Sequence, residues 1–337
     1  MSFLKVDMVR VLTSDSEIGL CETDLCRVPS IAQVFRCFTI AMSSKPFRRG
    51  TARDCLSVAK RILLTGATGF VGRQIHLSLI EAGHEVVAPL RLGGIDRLKE
   101  AGTPAHIIAT DDLFDLSPQI WAEHCQGIDA VIHAAWYVNP VDYLDSPENF
   151  RCVAGTMALA EGAARAGVAH FIGVGTCAEY RWPSERLTVD DPLEPRTLYA
   201  AAKIGCFHML QQFFKAKALP FSWCRIFYLF GEGEHPRRLV PYVRQKLQAG
   251  EVAKLSKGTQ LRDFLDVREA GSMIAGVVDT GQEGAINICS GQAITIRAFV
   301  EKIADEYGRR DLLEFGTADI HPSDPLAVVG VCNVARA

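Results

Sequence analysis

Tyr199 and Lys203 bracket the run Tyr199-Ala200-Ala201-Ala202-Lys203. A helix turns this spacing into a phenol and an ammonium on one face. An ammonium beside a phenol favours the phenolate and draws its pKa toward working pH. Tyr199 is therefore expected to give or take a proton at a carbinol or carbonyl. Upstream, Val174-Gly175-Thr176 brings a hydroxyl that would hold the same substrate oxygen. The plain alternative for Thr176 is a strand-end cap, and a Tyr-x-x-x-Lys spacing also decorates ordinary helix surfaces. The pair gains weight from what precedes it in the chain.

What precedes it is Arg61-Ile62-Leu63-Leu64-Thr65-Gly66-Ala67-Thr68-Gly69-Phe70-Val71-Gly72. An apolar run breaks into Gly66, Gly69 and Gly72, and a helix-compatible segment, Val71 to Ile80, follows. Strand, glycine turn and helix start in that order form a site for a dinucleotide pyrophosphate: the glycines admit the phosphates, and free N–H groups at the helix start face the anion. Thr68, Phe70 and Val71 fall in the same turn. Lys203 is then placed to bond the nicotinamide ribose.

The next apolar run ends at Leu90-Arg91. An NAD site usually carries a carboxylate there for the ribose 2′-OH. A guanidinium suits the 2′-phosphate of NADP instead, so Arg91 favours NADP(H) over NAD(H); the plain alternative is a surface arginine. Asp112-Leu113 follows the third apolar run, where the carboxylate would accept from the adenine amino group.

These residues need a scaffold that delivers them to one edge. Strands are predicted at Arg61–Thr65, Glu85–Leu90, His106–Ala109, Ala130–His133, Phe171–Val174 and Phe221–Arg225. Helices are predicted at Val71–Ala82, Pro118–His124, Pro147–Ala166, Tyr199–Ala216 and Leu239–Ala249. The alternation implies an α/β protein with a doubly wound, parallel, Rossmann-like sheet, whose ligands lie at the strands' carboxyl ends. After Arg225 the pattern loosens, as a smaller C-terminal substrate lobe would. The expected division is 60–228 for dinucleotide binding and 229–337 for the substrate lobe. Residues 1–59 lack a clear period and are expected to be a poorly ordered extension.

At 337 residues and 48% hydrophobic composition, the chain can fill a large core. Its net charge of −3 gives no reason to propose nucleic acid or an anionic membrane as partner. No apolar run is long enough to span a bilayer. Its 11 cysteines include no C-x-x-C pair, which argues against a zinc cluster and suggests free thiols in a reducing cytoplasm.

Together, Thr65-Gly66-x-x-Gly69-x-x-Gly72, Asp112-Leu113, His133-Ala134-Ala135, Thr176, Tyr199-x-x-x-Lys203 and Arg262-Asp263-Phe264 resemble the extended short-chain dehydrogenase/reductases of the NAD-dependent epimerase/dehydratase family. The resemblance runs from about Arg61 to the end of the chain and implies roles. His133, Ala134 and Ala135 would line the cofactor. Thr176 and Tyr199 would grip the reacting oxygen. Arg262 would contact the diphosphate of a nucleotide-sugar, with 236–243 forming part of the nucleotide pocket. Homodimerisation through the helices at 147–166 and 199–216 is a family expectation, and relatives continue beyond the residue where this chain stops.

The family's sugar dehydratases place Asp-Glu directly after the threonine. Here Cys177-Ala178 follows, with Glu179 one place later, so elimination is poorly supported. Arg91, together with stretches 260–267 and 313–316 that resemble bacterial nucleotide-4-keto-6-deoxyhexose reductases, tilts the reading to ketone reduction. An epimerase with tightly bound NAD, a reductase of a non-sugar carbonyl, and a truncated or non-catalytic NADP-binding protein stay open. Arg262 discriminates: facing a pocket it favours a diphosphate substrate, while buried in an ion pair with Asp263 or Asp266 it favours a non-sugar one. Tyr228 stands where many epimerases carry asparagine.

Overall fold

The computed structural model describes residues 58–335, apart from 92, 95, 96, 99–101 and 320–323. Except for its last two residues, the expected extension over 1–59 lies outside the described residues.

Seven parallel strands form the main sheet. They are β1 (Arg61–Thr65), β2 (Glu85–Leu90), β3 (His106–Ala109), β4 (Ala130–His133), β5 (His170–Thr176), β7 (Phe221–Ile226) and β12 (Gly284–Ile288), in the order β12-β7-β5-β4-β1-β2-β3. The short β6 (Ser184–Leu187) lies outside it. Parallel strands covered on both faces read as continuous apolar runs, and β1 shows why. Ile62 and Leu64 face one core and Leu63 the other, all fully buried. Helices α1 (Phe70–Glu81) and α6 (Val267–Thr280) cover the first face. The second is covered by α2 (Pro118–His124), α3 (Glu148–Ala166) and α4 (Leu198–Lys217).

Strand order reverses between β1 and β4, so a crevice opens at their carboxyl ends, where ligands of such sheets bind. After β7 the chain alternates between layers. β8 (Tyr228–Phe230) pairs with β11 (Phe264–Asp266), and β9 (Ala253–Leu255) pairs with β14 (Leu313–Phe315). β10 (Leu261–Arg262), β13 (Ile294–Thr295) and β15 (Ala327–Gly330) join β6 in a four-stranded sheet. A separate apolar cluster holds α5 (Leu239–Ala249) against α7 (Ile296–Tyr307). The looser pattern after Arg225 therefore conceals α6 and β12, which belong to the layers of the main sheet. No helix of the described residues is long and apolar enough to cross a membrane.

Candidate active site

The glycine turn sits at the crevice and is built for close approach. Gly66 has φ +75°, and a Cβ there would lie 2.8–2.9 Å from backbone atoms of Ala134 and Ala135. At Gly72 a Cβ would come within 2.0 Å of the Gly66 carbonyl oxygen, closing the turn against α1. Gly69 caps α1 with no side-chain hydrogen bond, and no acidic residue stands in the helix's first turn. Gly69 is exposed, and Thr68, Phe70 and Val71 are half-buried. Uncapped N–H groups with no competing carboxylate fit a pyrophosphate.

His133 supports this turn from beneath. Its Nδ1 lies 2.8 Å from Thr65 Oγ1, and its Nε2 lies 2.8 Å from Thr156 Oγ1. Thr156 donates its hydroxyl proton to the Cys152 carbonyl at 2.7 Å, and Thr65 Oγ1 accepts from the Ala135 N–H at 3.3 Å. Those bonds leave one consistent assignment: Nε2 carries the proton and Nδ1 accepts from Thr65. Burial pulls the imidazole down to about 3, so it is neutral. His133 was expected to line the cofactor together with Ala134 and Ala135. The ring is sealed and spent on protein partners, while half-buried Ala134 and the Ala135 backbone border the glycine turn.

Arg91 and Asp112, read separately, meet. The exposed Arg91 guanidinium donates to Asp112 Oδ2 at 2.7 Å, and Arg151 approaches the same oxygen at 3.3 Å. The other oxygen, Oδ1, accepts from the Phe114 N–H, capping the turn that begins at half-buried Leu113. Asp112 thus holds a pair of cations beside β2.

Thr197 caps α4 by accepting from the Ala200 N–H at 3.2 Å, which fixes where Tyr199 begins its turn. The Tyr199 N–H donates to the Leu144 carbonyl at 2.8 Å. Its ring lies edge-on to Tyr143 (centroids 5.1 Å) and Trp136 (6.4 Å). Burial, the largest influence, pushes the phenol well above its ordinary range, and a hydrogen bond with Thr176 pulls the other way. Lys203 points elsewhere: its Nζ donates to the Val174 carbonyl at 2.7 Å and lies 3.7 Å from the Trp136 ring centre. Burial lowers it to about 8. The expected acidification of Tyr199 by Lys203 is corrected on this geometry: desolvation dominates, and the ammonium turns one of its N–H groups to the Val174 carbonyl. Thr176 and Tyr199 lie within each other's influence at this edge.

Glu179 is fully buried and bonded to Trp223 and Arg225. A carboxylate so committed is not a general acid or base, and its neighbours Cys177 and Ala178 carry no carboxyl group.

Arg262 is 1% exposed and pairs with neither aspartate anticipated for it. Its Nη2 donates to Asp324 Oδ1 at 2.6 Å, with the Tyr228 ring 5.0 Å away. Asp263 instead accepts from Ser290, Gly291 and Gly330, and Asp266 caps α6 and binds Arg268. Asp324, Gln260, Tyr242, Arg237 and Lys254 line an adjoining cavity of about 370 Å³. Leu239 and Tyr242, in the stretch expected to form part of a nucleotide pocket, are on its wall. Trp136, Tyr143, Arg225 and Asp324 were not anticipated. Trp136 alone carried a signal, since it follows a strand at the ligand-binding edge.

A Rossmann sheet with an uncapped glycine turn, and a buried Tyr and Lys on the helix that flanks it, defines a dinucleotide-dependent enzyme of the extended short-chain dehydrogenase/reductase type. Residues 62–289 match the model of the NAD dependent epimerase/dehydratase family, and the chain belongs to that family. It is 24% identical over 271 residues to dTDP-6-deoxy-L-talose 4-dehydrogenase (NAD(+)) of Aggregatibacter actinomycetemcomitans, covering 80% of this chain and 98% of that one. It is 28% identical over 268 residues to dTDP-6-deoxy-L-talose 4-dehydrogenase (NAD(P)(+)) of Kitasatospora kifunensis, covering 74% and 79%. The fold is shared with UDP-N-acetylglucosamine 4-epimerase from Methanobrevibacter ruminantium M1, solved with UDP-N-acetylmuramic acid (TM-score 0.73, 21% identity, 81% and 90% covered). It is also shared with a Streptomyces venezuelae dTDP-glucose 4,6-dehydratase solved with NAD (TM-score 0.68, 23% identity, 81% and 88% covered).

Proposed function

We propose that this enzyme reduces the C4 ketone of a nucleotide-bound 4-keto-6-deoxyhexose, with Tyr199 as proton donor. The observation that carries the reading is the buried Tyr199 phenol, kept protonated by desolvation and facing Thr176, with Cys177 and Ala178 in place of carboxylates directly after that threonine. A protonated phenol is the form that ketone reduction needs. The two dehydrogenase relatives, named for oxidation at position 4 of a 6-deoxy sugar, support the same chemistry run in reverse.

Gly66, Thr68, Gly69, Phe70, Val71 and Gly72 would hold the pyrophosphate, with Arg91, Asp112 and Leu113 around the adenosine end. Ala134 and Ala135 would border the cofactor, and Lys203 would hold the ribose. The bound nicotinamide supplies hydride. Thr176 and Tyr199 donate hydrogen bonds to the ketone oxygen, and the phenol gives up its proton as negative charge develops there. Lys203, one turn along α4, adds positive charge to the site. Arg262 would meet the diphosphate, and the cavity beside it the nucleoside. Arg91 favours NADPH, which suits net reduction.

The test is NADPH absorbance in the presence of a panel of nucleotide-4-keto-6-deoxysugars. Oxidation with one of them is expected. Oxidation with none, alongside sugar interconversion without net cofactor turnover, would establish the epimerase instead. A second reading, reduction of a non-sugar carbonyl, is favoured by one observation: the Arg262 guanidinium is buried and already paired with Asp324.

A further inference from the structure

Glu179 is left over from the chemistry, yet it is among the most heavily bonded side chains near the site. Its Oε2 accepts from Arg225 Nε at 2.7 Å. The Trp223 indole N–H lies 3.0 and 3.1 Å from its two oxygens. Its Oε1 accepts from the Thr176 backbone N–H at 2.8 Å. Both members of the ion pair are sealed, at 0% and 1% exposure.

Arg225 is pinned in turn. It donates to the Tyr180 hydroxyl at 3.1 Å, which donates to Asn287 Oδ1 at 2.6 Å. Its guanidinium lies against the Tyr180 and Phe207 rings, at 4.9 and 4.6 Å. Gly175 makes room: a Cβ there would stand 2.2 Å from Trp223 Nε1 and 2.5 Å from Glu179 Oε1. A buried ion pair is a poor way to gain stability, because well-packed apolar residues often do as well or better. What this pair does is fix a backbone position. Glu179 and Thr176 form a reciprocal capping box in which Thr176 Oγ1 accepts from the Ala178 N–H at 3.2 Å. That bond occupies a lone pair on the hydroxyl oxygen and leaves its proton free to donate.

We infer that the Glu179–Arg225 pair, with Trp223, is a positioning device that locks the Thr176 hydroxyl against Tyr199 for proton delivery. This rests on the proposed roles of Thr176 and Tyr199.

The test uses paired variants that keep the site electrically neutral. E179L/R225M removes the acceptor for the Thr176 N–H, while E179Q/R225M keeps one. E179L/R225M is expected to keep its cofactor affinity and KM, with kcat down about ten- to a hundredfold, as small misplacements of reacting groups produce. E179Q/R225M should recover most of that loss. Wild-type kcat in the Leu/Met variant, or no recovery in the Gln/Met variant, would overturn the inference. If the Leu/Met protein does not fold, W223F replaces it; kcat there should fall severalfold at constant cofactor affinity, and unchanged kcat would count against the device. Hydrogen exchange at the Thr176 amide gives a readout independent of turnover. It should be slow in the wild type and in E179Q/R225M but fast in E179L/R225M or, failing that, faster in W223F than in wild type. Equal exchange rates would also overturn the inference. An inactive wild type with the expected exchange pattern would defeat the functional reading and leave the positioning role standing.

Discussion

The Lys203 ammonium lies 3.7 Å from the centre of the Trp136 indole and donates to the Val174 carbonyl. An aromatic face and a carbonyl offset part of the cost of burying the charge. The remainder appears as a pKa brought down to about 8 by desolvation. Lys203 is therefore charged below that pH and neutral above it.

Tryptophan fluorescence should report this proton. An ammonium against an indole face perturbs its emission, so wild-type emission is expected to titrate with a midpoint near about 8. K203M should lack the transition. On the proposed reading reduction draws on the ammonium, so turnover should fall as pH rises through the same midpoint. A titration unchanged in K203M would mean that the midpoint belongs to another group.

His133 makes stability depend on acidity. In the fold it stays neutral to about 3, whereas the unfolded chain takes up a proton near 6.5. Between those values the unfolded state binds more protons, so stability falls as pH drops through the window, by up to about 5 kcal/mol for this residue. His170, lowered to about 4 by burial, acts in the same direction. Urea unfolding of H133Q across that window should show a clearly shallower pH slope than wild type. An identical slope would remove His133 from the account.

Arg262 separates the two substrate readings. A guanidinium that exchanges Asp324 for a diphosphate contributes charge-assisted bonds that lysine reproduces badly. R262K should weaken the binding of a nucleoside diphosphate about tenfold or more, measured by calorimetry. Unchanged affinity would favour the non-sugar carbonyl.

On the proposed reading, Arg91 sets the preference for NADP(H). R91A should raise the Kd for NADPH about tenfold and leave that for NADH nearly alone. Equal effects on both would reduce Arg91 to a partner of Asp112.

The strands at 61–65, 85–90, 106–109 and 130–133 were legible to the residue, because each is an apolar run framed by polar or turn residues. β5 runs on through Gly175 and Thr176, whose small and polar side chains read as a strand end. α6 follows Arg262-Asp263-Phe264, where a helical segment was expected without bounds, and β12 went undrawn, being short and interrupted by the buried Asn287. In the site, local spacing was readable and distant pairing was not. Glu179 meets Arg225 across 46 residues, and Arg262 meets Asp324 across 62. Lys203 meets Trp136, which the loop after β4 delivers from 67 residues upstream. The Tyr-x-x-x-Lys spacing predicted a shared helix face, and burial decided what each group does there.

The most direct test of proton delivery by Tyr199 is single-turnover NADPH oxidation by wild type and Y199F, with the nucleotide-4-ketosugar that wild type accepts. Y199F should bind NADPH as wild type does and turn over roughly a hundred- to ten-thousandfold more slowly. Equal rates in the two proteins would contradict the role assigned to the phenol.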